Sequence, residues 1–272
     1  MQVLSLNNLG GYRCFDIDQC REAGSALAEE YRSTRPFPHI VLDDFLDADF
    51  LRAVMAEFPD SSGRDCFLRD QERLKFQFRP DECEGPLTRM LFAELNSRAF
   101  LAFLSELTGI EGLITDPYHA GAGLHETKRG GHLSIHADFP RHEHMHVDRR
   151  LNLLIYLNED WQDDYGGALE LWDKKMRAAA KKVMPIFGRA VIFSTARDTF
   201  HGHPDPLTCP EERSRRSIAT YYYTASPDQQ KIERTTDFRQ RPGTADKRDW
   251  RVMLHHLKAD WLPPALQRRR TG

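Results

Sequence analysis

The spacing of apolar residues changes character near residue 124. Ahead of it the apolar positions recur at helical intervals. Residues 20–33 carry Ala and Glu in a proportion that suits a helix. HIVLDDF, residues 39–45, reads as a strand. Asp47 stands as an N-cap in front of residues 48–58, where Phe50, Leu51, Val54 and Phe58 form one stripe. Residues 87–95 and 99–108 read as two further helices. Asn96 or Ser97 caps the second, and Gly109 closes it. All of these are expected to be structural.

From residue 124 short alternating segments follow one another: HLSIHAD, RRLNLLIYLN, ALELW, AVIFS, TFHGHP and RRSIATYYYT. Turn residues such as Gly130-Gly131 and Gly166-Gly167 separate several of them. Short strands in series imply a sandwich or a barrel. The chain turns polar from about Ser226. A helical pattern resumes over residues 246–258, with Trp250, Met253, Leu254 and Leu257 on one stripe. Pro263-Pro264 and Arg268-Arg269-Arg270 read as an exposed end.

Composition narrows the class. The chain has 272 residues, 40% apolar and 29% charged, which fits a globular protein with a sizeable core. Lys+Arg 38 against Asp+Glu 41 lacks the basic excess of a dedicated nucleic-acid binder, so no nucleic-acid partner is expected. No apolar run reaches the length of a membrane span, and the first residues do not read as a secretory signal. The five cysteines, Cys14, Cys20, Cys66, Cys83 and Cys209, are odd in number and scattered, with no C-x-x-C. Free thiols in a cytoplasmic protein are the expectation.

Two segments carry candidate chemistry. His136-Ala137-Asp138 ends a strand-like run, and residues two apart on a strand share a face. A His and a carboxylate so placed can share one metal. A distant His would complete a 2-His-1-carboxylate face, which leaves positions open and suits non-haem Fe(II). His201 and His203 are both candidates for it. H-x-D alone is weak, since the chain repeats it at His146/Asp148 and His203/Asp205. The alternating His142, His144 and His146 sit in a polar segment and read as a solvated loop.

Two strands could line a cavity. Over residues 150–158, Leu151, Leu153, Ile155 and Leu157 form an apolar face, and Asn152, Leu154, Tyr156 and Asn158 a mixed one. The mixed face can border a ligand site or face water. Over residues 215–224, Arg215, Ser217, Ala219, Tyr221 and Tyr223 share one face, and Arg216, Ile218, Thr220 and Tyr222 the other. An Arg fork beside a hydroxyl can hold a carboxylate. A surface patch of Arg213, Arg215 and Arg216 would explain the same residues.

The succession HLSIHADF, RRLNLLIYLNEDW, YGGALELW, GRAVIFS, TFHGHPDPL and RRSIATYYY resembles the 2-oxoglutarate and Fe(II)-dependent dioxygenases, within them the prolyl-4-hydroxylase-like branch. The likeness spans roughly residues 36–225. It implies a mainly β fold, a double-stranded β-helix or cupin-like jelly roll, with flanking helices. Residues 1–110 would support the core, residues 111–225 form it, and residues 226–272 make a helical extension, in one compact domain.

By resemblance, His136, Asp138 and His201 are the metal-binding catalytic residues, His201 matching better than His203. Arg215 with Ser217 would hold the far carboxylate of 2-oxoglutarate. Tyr156 would hydrogen-bond the same carboxylate, and Asn152 would border the cofactor. Arg216 points to the opposite face. The implied cofactors are Fe(II), 2-oxoglutarate as co-substrate and O2, with ascorbate a candidate reductant. The implied reaction is hydroxylation of an unactivated C–H, releasing succinate and CO2. Asp138 occupies the position that related halogenases leave to a small residue. HETKRGGHLS, ahead of the H-x-D, departs from the tyrosines of many prolyl hydroxylases. The substrate thus stays open among a peptide, an amino acid, a sugar and a small metabolite. A zinc hydrolase with the same triad, or a non-catalytic module on the same fold, are the alternatives.

Overall fold

The computed structural model describes residues 2–226, 236–247 and 249–261, without the side chains of 256–261. The Pro263-Pro264 and Arg268–Arg270 end lies outside the described residues. A hairpin of β1 (Leu6–Leu9) and β2 (Tyr12–Phe15) comes first, turning through Gly10 and Gly11 at positive φ. Four-residue strands carry too little alternation to stand out in the sequence.

The helix expected over residues 20–33 begins earlier, as α1 (Ile17–Ser33). Asp16 caps it, accepting from the amides of Asp18 and Gln19 at 3.0 and 2.9 Å. β3 (His39–Leu42) stops short of residue 45, and Asp44 takes φ 51. Asp47 caps α2 (Ala48–Ala56) through the Phe50 amide. β4 (Phe67–Leu68) and β5 (Glu72–Phe78) follow. Then come α3 (Pro86–Leu95) and α4 (Arg98–Thr108). Ser97 rather than Asn96 caps α4, and Gly109 closes it at φ 72.

The remaining strands are β6 (Gly123–Ala137), β7 (Asp148–Tyr156), β8 (Leu169–Trp172) and β9 (Ala179–Val183). After them come β10 (Ala190–Ser194), β11 (Phe200–His203), β12 (Ser214–Thr224) and β13 (Asp237–Phe238). α5 (Trp250–Trp261) ends the described chain, starting four residues later than the pattern suggested.

All but β1 and β2 join one sheet, ordered β3-β10-β7-β12-β6-β11-β8-β9, with β5 and β13 also paired to β6. The strands run antiparallel and curl into a near-barrel with flanking helices, the jelly-roll class expected. β3 and β5 come from before residue 111 and β13 from after residue 225, so the sheet reaches beyond residues 111–225 on both sides. One face packs on the helices: Leu151, Leu153 and Ile155 of β7 and Ile218 and Tyr222 of β12 meet Phe45, Phe50, Phe100 and Phe103. The opposite face encloses a cavity. Among the described residues no helix is long and apolar enough to cross a membrane.

Candidate active site

β6 and β11 pair so that His136 stands directly opposite His201. Asp138 lies two residues beyond His136, just past the end of β6. The three ligand atoms fall within 4.8 Å of one another, the only such group among the described residues. Asp138 Oδ1 is 3.5 Å from His136 Nε2, and its Oδ2 is 3.4 Å from His201 Nε2. His136 Nδ1 faces Ser134 O at 2.9 Å and His201 Nδ1 faces Thr199 O at 3.4 Å. Each carbonyl accepts from Nδ1–H, which turns the Nε2 lone pair toward the shared centre. Phe193 and Phe238 pack against the two rings, at 4.7 Å from His201 and 5.5 Å from His136.

Asp138 is held from behind. Asn152 Nδ2 donates to its Oδ2 at 2.8 Å, and Arg149 Nη2 lies 3.3 Å from the same oxygen. Arg149 Nε donates to Asn152 Oδ1 at 3.0 Å, so the two supports brace each other. The Arg149 guanidinium also lies over the Tyr221 ring at 3.5 Å. Burial alone would raise the Asp138 carboxyl, but Arg149, His201 and His136 hold it well below the usual range. Burial is also the main cause that lowers His201, to about 4. A neutral imidazole and an ionised carboxylate are the forms a metal requires. Two imidazoles and one carboxylate, leaving one side open, suit Fe(II).

Arg215 lines the same cavity. It is 5% exposed, and no carboxylate pairs with it among the described residues. Its Nε donates to Gly167 O at 2.8 Å and its Nη2 to the Tyr156 hydroxyl at 3.3 Å. A buried cation without a counter-charge is costly. The chemistry it lacks is that of an anionic ligand. Ser217 also lines the cavity, two residues along the same strand face. Asn152 borders it as well as supporting Asp138. Tyr156 is fully buried, and its hydroxyl accepts from Arg215 Nη2, which helps to orient the guanidinium. Arg216 points away and meets Glu126 Oε1 at 3.2 Å.

The other histidine motifs part company here. His144 and His146 are exposed, but His142 is fully buried. Its Nε2 meets Asp116 Oδ1 at 3.0 Å, which corrects the solvated-loop expectation for that residue. Asp205 pairs with Arg241 at 2.7 Å rather than with a metal. His203 faces the cavity, 4% exposed, and its Nδ1 has no hydrogen-bond partner among the described residues.

Two contributors escape the alternation pattern. Arg149 should share a face with Leu151, but the β7–β12 register shifts there, pairing Tyr222 with Leu151 and Tyr223 with Arg149. That bulge turns Arg149 to the inner face. β5 brings Glu72, Lys75 and Gln77 to the cavity, while Phe76 and Phe78 join the helix-side core. A polar inner face reads in sequence like a solvent face. The inward residues of HETKRGG are His125 and Thr127.

Residues 122–223 match the 2OG-Fe(II) oxygenase superfamily. Among curated proteins, mouse prolyl 3-hydroxylase OGFOD1 is 25% identical over 199 residues, covering 70% of this chain and 33% of that protein. The chain therefore spans about one third of that relative's length. Among solved structures, a Pseudomonas putida prolyl-4-hydroxylase superposes with TM-score 0.52 at 20% identity, over 75% of this chain and all of that one, 100%. A prolyl hydroxylase from Trichoplax adhaerens, in complex with a hypoxia inducible factor oxygen degradation domain peptide, gives 0.54 at 18% identity, over 76% and 91%. These two structures share the fold.

Proposed function

We propose, from the match of residues 122–223 to the 2OG-Fe(II) oxygenase superfamily, that the protein is an Fe(II)- and 2-oxoglutarate-dependent hydroxylase. One observation carries the reading. Among the described residues Arg215 is buried without a carboxylate partner, in the cavity that holds the His136, Asp138 and His201 cluster. A metal hydrolase would use the cluster and leave Arg215 without a task.

In this reading His136, Asp138 and His201 hold the iron, and Arg215 with Ser217 anchors the far carboxylate of 2-oxoglutarate. When bound, iron and 2-oxoglutarate together supply the activation of O2 that hydroxylates a C–H bond, with succinate and CO2 as co-products. The protein's own part is positional. Arg149 and Asn152 keep Asp138 ionised and aimed. Tyr156 and Gly167 hold the Arg215 fork. Leu154, Leu169 and Phe139 line the cavity and limit water. The similarity to prolyl hydroxylases supports a proline-containing peptide as the first substrate to test. Five free cysteines, three of them buried, support a reducing, cytoplasmic setting.

The test is titration of the anaerobic Fe(II) protein with 2-oxoglutarate, followed by the metal-to-ligand absorption band. A hydrogen-bonded charge pair contributes on the order of 1.5–3 kcal/mol. Arg215→Ala should therefore weaken binding roughly ten- to a hundredfold, Arg215→Lys should recover part of it, and Arg216→Ala should bind as wild type does. Unimpaired binding in Arg215→Ala would remove that residue from the site. Wild type that binds no 2-oxoglutarate would sink the assignment.

A further inference from the structure

The inner face where β5, β6 and β12 meet is a grid of polar side chains. Lys75, Thr127 and Arg215 stand in one cross-strand row, and Gln77, His125 and Ser217 in the next. Residues directly opposite across a ladder share a face, and all six line the cavity. Several of them are already engaged. Lys75 Nζ holds Glu72 at 2.7 Å, and His125 Nε2 meets Gly121 O at 3.1 Å. On Arg215, Gly167 takes the Nε–H and Tyr156 one Nη2–H, so a side-on grip through Nε is closed. An anion at Arg215 meets only the remaining Nη donors, while a carboxylate offers about four lone-pair sites.

His203 enters this region from β11. It pairs with Leu133 of β6, itself a cavity residue, two positions beyond His201. Gly202 between them sits so close to β6 that a Cβ there would lie 2.8 Å from the carbonyl oxygens of Leu133 and Ser134. The backbone is thereby pinned, and the ring is held at the cavity wall. At 4% exposure, with Nδ1 unpartnered among the described residues, His203 departs from the rule that buried polar atoms are satisfied. Leu would fill such a place without that cost. Nδ1 is sealed from the cavity, so a ligand there reaches His203 through its other ring nitrogen, Nε2, in the same cavity as Arg215, which has no carboxylate partner among the described residues.

We infer that His203 is a second anchor for the far carboxylate of 2-oxoglutarate, donating a ring N–H beside Arg215. The inference rests on the proposed function and adds to it a residue that sets co-substrate specificity. It requires that His203 matter only for keto acids that possess the far carboxylate.

The experiment compares His203→Leu and His203→Gln with wild type by anaerobic Fe(II) titration, using 2-oxoglutarate and 2-oxobutyrate. The second ligand keeps the keto-acid head and lacks the far carboxylate. His203→Leu should weaken 2-oxoglutarate about tenfold or more and leave 2-oxobutyrate and Fe(II) binding unchanged. His203→Gln, which retains an N–H donor, should stay within about threefold of wild type. Wild-type affinity for 2-oxoglutarate in His203→Leu overturns the inference alone. So does an equal loss for both keto acids, which would mark His203 as a packing residue. Absence of 2-oxoglutarate binding in wild type overturns the proposed function, and this inference with it.

Discussion

Asp138 Oδ2 receives Asn152 at 2.8 Å and Arg149 at 3.3 Å, so the oxygen nearest His201 is also the one most firmly held. Burial and charge compete on this residue, and charge prevails. On the thiols burial meets little opposition. It pushes Cys20 up to about 12 and Cys83 to about 11, so both stay protonated and unreactive at neutral pH. Cys209 is buried too, whereas Cys14 and Cys66 are half-buried. With a thiol reagent at pH 8, the folded protein should release two groups, Cys14 and Cys66, and the unfolded protein all five. Fewer than five after unfolding without reductant would reveal a bridge, and five at once from the folded protein would contradict the burial.

Helices and strands meet at a few tight points. Gly24 lies in the middle of α1, where glycine costs about 1 kcal/mol relative to alanine. A Cβ there would lie 2.4 Å from Phe103 O and 3.0 Å from Glu106 Cβ of α4. The helices approach so closely that backbone, rather than a flexible side chain, would have to move. Gly24→Ala should therefore destabilise by about 1–3 kcal/mol despite the better propensity. The check is the urea midpoint, and a rise in it would mean that α1 and α4 are less closely packed. In the sheet, the bulge in β7 has the opposite use: it breaks the alternation and so adds Arg149 to a face that already carries Asn152.

Across the whole molecule, the helices cover one side of the sheet and leave the other free to enclose polar side chains. The cavity gathers polar side chains from β5, β6, β7, β11 and β12, and Arg215 among them is a buried cation without a carboxylate partner among the described residues, which costs stability until an anion answers it. Anaerobic Fe(II) with 2-oxoglutarate at about 100 times its Kd should add about 2.7 kcal/mol. That should appear as a rise of several degrees in Tm. Asp138→Ala and His201→Ala should fold and lose most of the rise. A Tm unmoved by both ligands in wild type would detach the cluster from metal binding.

Much of the architecture was legible along the chain. The cap at Asp47, a cap at Asn96 or Ser97, the two faces of β7 and β12, and the pairing of His136 with Asp138 all follow from local spacing. Propensity, capping and alternation act within a few residues, so a single sequence exposes them. Alternation left His201 and His203 level, since both lie on one strand face; the resemblance favoured His201, and the β6–β11 register sets it opposite His136. Tertiary pairing alone turned Arg149 inward through a bulge and brought Lys75, on a strand whose polar side looks solvent-facing, to the cavity. Register and bulges depend on which distant strand lies alongside, and neighbours in sequence do not encode that locally.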